Sequence, residues 1–458
     1  MAIEARSLKF YGTRDLPRLP QLQRFSALER EAMVVVSRVL PFRANNYVVE
    51  ELIDWDRAPE DPIFQLTFPQ RGMLPREHFE RMLSVERSNA SAAQKKLVAD
   101  EIRRALNPHP AGQKTMNVPR LDDEPVDGVQ RKYRETCLVF PSRGQTCHAY
   151  CTFCFRWPQF VGLDDLKFAT GEAGRFAEFV RRERDLTDVL ITGGDPMVMK
   201  TDMLARYLEV FLQPGFEHIR TIRIGTKSLG YWPYRYVDAP DADDLLRLME
   251  RVVASGRHLA LMAHFNHWQE HETDVVREAV RRIRDTGAQI RTQSPLVRHI
   301  NDDPDVWIRM WETQVNAGMV PYYMFVERDT GAARYFELPL ADCHRIFQKA
   351  IQGVSGLART ARGPSMSSMP GKVVVDGVSE VNGQKVFVLS FMQARNPDWV
   401  KRPFFARFDP DATWLDDLVP AFGDREFFYE RQLARMQETA GLAPGRGGGA
   451  TRPLQVVG

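Results

Sequence analysis

Near the N-terminus, apolar residues recur at helical spacing. "SALEREAMVVVSRVLPF" and "SAAQKKLVADEIRRAL" each place them three or four positions apart, which predicts two amphipathic helices. A Pro- and Gly-rich stretch, "NPHPAGQKTMNVPRLDDEPVDG", breaks the pattern and reads as a linker. A regular alternation follows. Short apolar runs at 137–140, 188–191, 219–224, 258–262, 288–292 and 320–325 predict strands. Between them lie segments of helical period: "EAGRFAEFVRRER", "TDMLARYLEVFL", "ADDLLRLMERVVAS", "TDVVREAVRRIRDTG" and "PDVWIRMWETQVNAG". A further helix, "LADCHRIFQKAIQGV", follows the last run. Such alternation implies parallel strands joined by helical crossovers. Six units are too few for a closed eight-fold barrel. The expected fold is therefore α/β, a partial (β/α)6 barrel with an N-terminal helical region and a small C-terminal α+β extension.

After residue 355 the pattern changes to "GPSMSSMPGKVVVDGVSEVNGQKVFVLSF", expected as a loop and then short strands turning at Asn382-Gly383. The expected organisation is a helical, oligomerising region over 1–130, the barrel over 131–355, a C-terminal segment over 356–440 and a disordered tail over 441–458.

Charge narrows the partners. With 62 basic and 60 acidic residues the chain offers no electrostatic reason to bind nucleic acid or a membrane surface. It has no apolar run of about 18 residues that would span a bilayer. The N-terminus "MAIEARSLKFYG" lacks an apolar signal core, so a cytoplasmic location with reduced thiols is expected. Five cysteines, an odd number, argue against a disulfide framework.

Three of the five, Cys147, Cys151 and Cys154, fall in the loop after the first predicted strand. In parallel barrels, loops at the strands' C-terminal ends build the active site. Thiolates at C-x3-C-x2-C can hold three irons of a cubane cluster and leave the fourth open for a ligand. A Cys3His zinc site using His148 and a set of inert buried thiols both remain possible from the spacing.

The loop, with Phe153 before its third cysteine, resembles that of the radical S-adenosylmethionine superfamily. Other motifs extend the likeness from roughly residue 60 to 395. "DVLITGGDPMVM", "RIGTKS", "AHFNHW", "TQSPLVRHIND", "VPYYMF" and "PGKVVVDG" follow in the order seen in the lysine 2,3-aminomutase family. The resemblance implies a partial barrel of the radical S-adenosylmethionine type, holding a [4Fe–4S] cluster on Cys147, Cys151 and Cys154. It also implies S-adenosylmethionine bound to the open iron and pyridoxal 5'-phosphate carried on Lys372.

By the same likeness, backbone carbonyls of Gly193, Gly194, Asp195 and Pro196 would meet the methionyl amino group, with His264 nearby. Read locally, those glycines would form an ordinary tight turn. Gln293 and Ser294 match positions near the pyridoxal phosphate group, with Lys132 or Arg134 as charge partners. Arg156 matches an arginine that grips the substrate α-carboxylate, a task suited to a guanidinium fork. Trp157 and Pro158 follow it where the family continues with basic residues.

Lysine-acting relatives place two aspartates around the substrate's side-chain ammonium. An ungapped alignment puts Arg328 and Ser365 there, which suits a side-chain carboxylate; a slip of one residue would bring in Glu327 or Asp329. An acidic or polar α-amino acid is therefore expected, glutamate or aspartate before lysine. An electron donor such as flavodoxin or ferredoxin and a homo-oligomer are expected too. Asp303 stands where zinc-binding relatives have cysteine, so no zinc is expected. A different radical enzyme on this scaffold, acting on a peptide residue or without pyridoxal phosphate, is the alternative. An iron–sulfur electron carrier would not need the GGDP segment or Lys372.

Overall fold

In a computed structural model the described residues are 4–442. All but the first two residues of the expected tail lie outside them.

Eleven strands form one sheet in simple sequential order. They are β1 (Val129–Tyr133), β2 (Thr136–Val139), β3 (Asp188–Ile191), β4 (Thr221–Thr226), β5 (His258–His264), β6 (Gln289–Leu296), β7 (Val320–Val326), β8 (Arg362–Ser367), β9 (Gly371–Val381), β10 (Gln384–Ala394) and β11 (Phe404–Arg407). Strands β2 to β8 run parallel, and β1, β9, β10 and β11 are antiparallel additions at the two edges. The expected α/β fold with helical crossovers is present. The β5 run "HLALMAH" is apolar and buried along its centre, as a strand covered on both faces requires. The helix Asp274–Asp285 turns Val275, Val276, Ala279, Val280 and Ile283 to the sheet and its charges to solvent.

Two expectations are corrected. The parallel strands number seven, because β8 lies in the stretch read as a loop. Its sequence, "RGPSMS", has little β-propensity, and its strand state comes from its neighbours: Tyr323 and Phe325 on one side, Val373 and Val374 on the other. The segment after 355 is also continuous with the barrel sheet. Its hairpin strands are long, 11 residues each, and turn at Asn382 and Gly383, both at positive φ.

The sheet curves until its ends meet. Gln393 of β10 donates to Glu135 in the β1–β2 turn at 3.2 Å, and Lys132 of β1 donates to the Ser368 carbonyl. The stretch read as a linker seals this seam. Arg395 donates to Asn117 at 2.6 Å, and Asn117 and Gln113 are both buried. The two N-terminal helices, Ala27–Val39 and Ala92–Ala105, are each closed by a capping box, Ser26 with Glu29 and Ser91 with Gln94. Among the described residues no helix is long and apolar enough to cross a membrane.

Candidate active site

A cavity of about 350 Å³ opens at the C-terminal ends of the parallel strands. Most expected site residues line it: the three cysteines, Gly193, Gly194, His264, Gln293, Lys372, Arg156 and Arg328. Asp195, Ser294 and Ser365 do not.

The cysteine loop follows β2. Burial raises all three thiol pKa values, to about 11 for Cys151, to about 12 for Cys154 and well above the ordinary thiol range for Cys147. Neighbouring sulfurs add to the rise at Cys147 and Cys154. Such a set becomes thiolate when a cationic group joins it, which fits an iron–sulfur cluster. Among the described residues no three His, Cys, Asp or Glu side chains converge on one ion. His148, the zinc alternative, does not face the cavity; its backbone carbonyl accepts from Asn45 at 3.0 Å.

The glycines after β3 answer to this loop. A Cβ on Gly193, whose φ is +154°, would sit 2.2 Å from the Gln145 side chain; one on Gly194 would sit 2.4 Å from the Thr146 carbonyl. Only bare backbone lets the two loops pack so closely. The Asp195 side chain points the other way. It accepts from the Met197 amide at 2.9 Å, the Thr226 hydroxyl at 2.8 Å and the Lys227 amide at 2.9 Å, tying the end of β3 to that of β4. His264, at the end of β5, is driven down to about 3 by burial and is neutral.

On β6 the pleat separates neighbours: Gln293 faces the cavity, whereas the Ser294 hydroxyl is held by Asn266 at 2.8 Å. Lys372 lies 4.0 Å over the Tyr323 ring. Burial, then the charges of Arg223 and Arg362, push its pKa down to about 7. Lys132 and Arg223 line the same wall; Arg134 is exposed in the β1–β2 turn.

Arg156 and Arg328 approach one aromatic ring, their guanidinium carbons 4.9 and 5.2 Å from the centre of Phe155. Arg156 donates to Gln113 Oε1 at 3.1 Å. Its pKa falls to about 9 through burial and then the Arg328 charge. The Nε and Nη2 of Arg328 are buried without hydrogen-bond partners. Glu327 also lines the cavity, with Oε1 unpartnered and burial raising its pKa. Asp329 turns away to Asn107, at 2.7 Å from its carbonyl and 3.2 Å from its carboxylate. Ser365 is fully buried in the sheet with its hydroxyl 3.5 Å from the Met324 carbonyl, and Ser367 reaches the cavity instead.

No family model matches the chain. Over 392 residues it is 29% identical to an Aquifex aeolicus protein named "Putative L-lysine 2,3-aminomutase", covering 85% of this chain and 91% of that one. The chain is a homologue of proteins named L-lysine 2,3-aminomutase and glutamate 2,3-aminomutase. Such enzymes are isomerases. The L-lysine 2,3-aminomutase of Escherichia coli is 25% identical over 55% of this homologue and 69% of its own chain. The glutamate 2,3-aminomutase of Clostridioides difficile is 25% identical over 51% of this homologue and 52% of its own chain. A solved structure of Streptococcus suis SuiB bound to S-adenosylmethionine aligns with a TM-score of 0.35 and 13% identity, over 60% of this chain and 56% of that one.

Residues that face or brace the site but have no role assigned from sequence include Gln113, Arg223, Lys227, Tyr231 and Tyr323, and Glu327 enters there only through a one-residue slip of the alignment. Lys227 stands at a strand end in "RIGTKS", which was its one visible signal. Its ammonium pairs with Glu270 at 2.8 and 2.9 Å, and both side chains are buried. Lys227→Met leaves Glu270 as an uncompensated buried charge and should cost about 3–5 kcal/mol of stability. Urea denaturation checks this. A Lys227→Met, Glu270→Leu double variant should recover part of the loss.

Proposed function

We propose that this homologue is a pyridoxal-phosphate-dependent 2,3-aminomutase that moves the α-amino group of an acidic or polar amino acid, glutamate or aspartate, to the β-carbon. The observation that carries the substrate class is Arg328, a buried guanidinium with two unpartnered nitrogens facing a cavity that already contains Arg156. Two forks close to one ring, that of Phe155, suit a substrate with two carboxylates. The name of the C. difficile relative agrees with this choice.

The cluster, S-adenosylmethionine and pyridoxal phosphate would together supply hydrogen abstraction from an unactivated carbon and a π-system that delocalises the resulting radical. Cys147, Cys151 and Cys154 would hold the first. Gly193 and Gly194 let the loop after β3 pack against the cysteine loop, and neutral His264 can donate or accept one hydrogen bond there. Lys372 has a pKa of about 7, so much of its amine is neutral at physiological pH and able to act as a nucleophile. Tyr323 gives a flat face against which a pyridine ring can lie. Arg223 brings positive charge toward a phosphate on that wall, and a phosphate there would favour the charged form of Lys132, whose pKa burial lowers. Arg156, oriented by Gln113, would take the α-carboxylate, and Arg328 the distal one.

A flavodoxin or ferredoxin as electron donor, and a homo-oligomer built on the N-terminal helices, belong to the same reading. Anaerobic reconstitution followed by a screen of amino acids for β-amino acid products tests it. Glutamate or aspartate should lead the panel. Robust turnover of lysine alone would sink the assignment.

A further inference from the structure

The side chain of Tyr231 meets the cysteine loop from an element outside it. Its hydroxyl lies 3.2 Å from Cys151 Sγ. A thiolate bound to iron can only accept, so the phenol must be the donor.

The surroundings fix this contact from both ends. The Tyr231 carbonyl accepts from Asn45 Nδ2 at 2.8 Å, and the same nitrogen donates to the His148 carbonyl at 3.0 Å. One buried amide therefore clamps the backbone of Tyr231 to that of the cysteine loop. The Lys227 ammonium stands 4.5 Å over the Tyr231 ring, itself held by Glu270. A cation over a phenol ring withdraws electron density and strengthens its O–H as a donor.

Hydrogen bonds to cluster sulfurs raise the reduction potential, because they stabilise the more negative reduced state. We propose that Tyr231, braced by Asn45 and Lys227, is a positioning residue that sets the reduction potential of the cluster through its hydrogen bond to Cys151. The step concerned is one-electron reduction of the [4Fe–4S]2+ form to the [4Fe–4S]+ form, with the electron supplied by an external reductant. The inference rests on the reading of the three cysteines as cluster ligands.

The test is a mediated dithionite titration followed by EPR on anaerobically reconstituted wild type and Tyr231→Phe, with iron content measured on both. Tyr231→Phe should retain the cluster and titrate at a more negative potential. At the wild-type midpoint its reduced-to-oxidised ratio should fall by about tenfold, which is about 59 mV for one electron. Protein carrying 3,5-difluorotyrosine at position 231, a stronger donor, should shift the other way. An unchanged midpoint in cluster-loaded Tyr231→Phe overturns the proposal. Should that variant fail to hold iron, absence of the upward shift with fluorotyrosine overturns it equally. Wild type that takes up no [4Fe–4S] cluster refutes the ligand reading itself, a separate and recognisable result.

Discussion

Lys372→Ala should abolish the visible absorbance of lysine-bound pyridoxal phosphate and lower β-amino acid formation by several orders of magnitude. The reason is positional as well as chemical. Lys372 is held over Tyr323 at the seam where β9 joins the barrel, and another lysine on that wall, Lys132, donates to the Ser368 carbonyl. A spectrum unchanged by the substitution, in protein saturated with pyridoxal phosphate, would place the cofactor elsewhere. The pH dependence has a definite sign. Only the neutral amine attacks an aldehyde, and burial with Arg223 and Arg362 lowers the Lys372 pKa to about 7. Attachment of pyridoxal phosphate to the cofactor-free protein should therefore speed up from pH 6 to 8 and then level off. An ordinary lysine, near 10.4, would keep gaining about tenfold per pH unit across that range.

Arg328→Leu should lose about 2–4 kcal/mol of discrimination for a dicarboxylic substrate, or roughly 30- to 1000-fold in kcat/KM. The two unpartnered nitrogens of Arg328 make the case: a buried fork with no protein acceptor gains most from a ligand that supplies one. Steady-state kinetics on glutamate, aspartate and a neutral amino acid checks it. The acidic substrates should fall far more than the neutral one. An equal fall on all three would make Arg328 a structural residue. Glu327, beside it in the cavity, would then become the group that reads the side chain.

Many residues that line the candidate cavity are legible in the sequence, since short motifs at strand ends mark them. The cysteine loop follows β2, His264 ends β5, and Lys372 lies at the start of the hairpin strand β9. The residues that escaped did so for identifiable reasons. Gln113 sits in a Pro- and Gly-rich stretch whose composition says only that no regular element forms there. Its burial against Arg156 depends on the sheet closing on itself. Tyr231 lies 80 residues beyond Cys151, and nothing local marks the pairing. Ser365 came from counting along the chain, which cannot tell how deep in a barrel a strand residue lies.

What the sequence determined by itself was the alternation of strands and helices and the chemistry of the motifs, because periodicity and side-chain type are local properties. Tertiary structure alone decided the rest. It made a strand of "RGPSMS" through its neighbours' hydrogen bonds, turned Asp195 and Ser294 from the cavity into the framework, and stood Arg156 and Arg328 about one ring. Those outcomes depend on contacts between residues far apart in the chain. They follow from how the sheet curves and which face each residue presents, not from the residue's own preference.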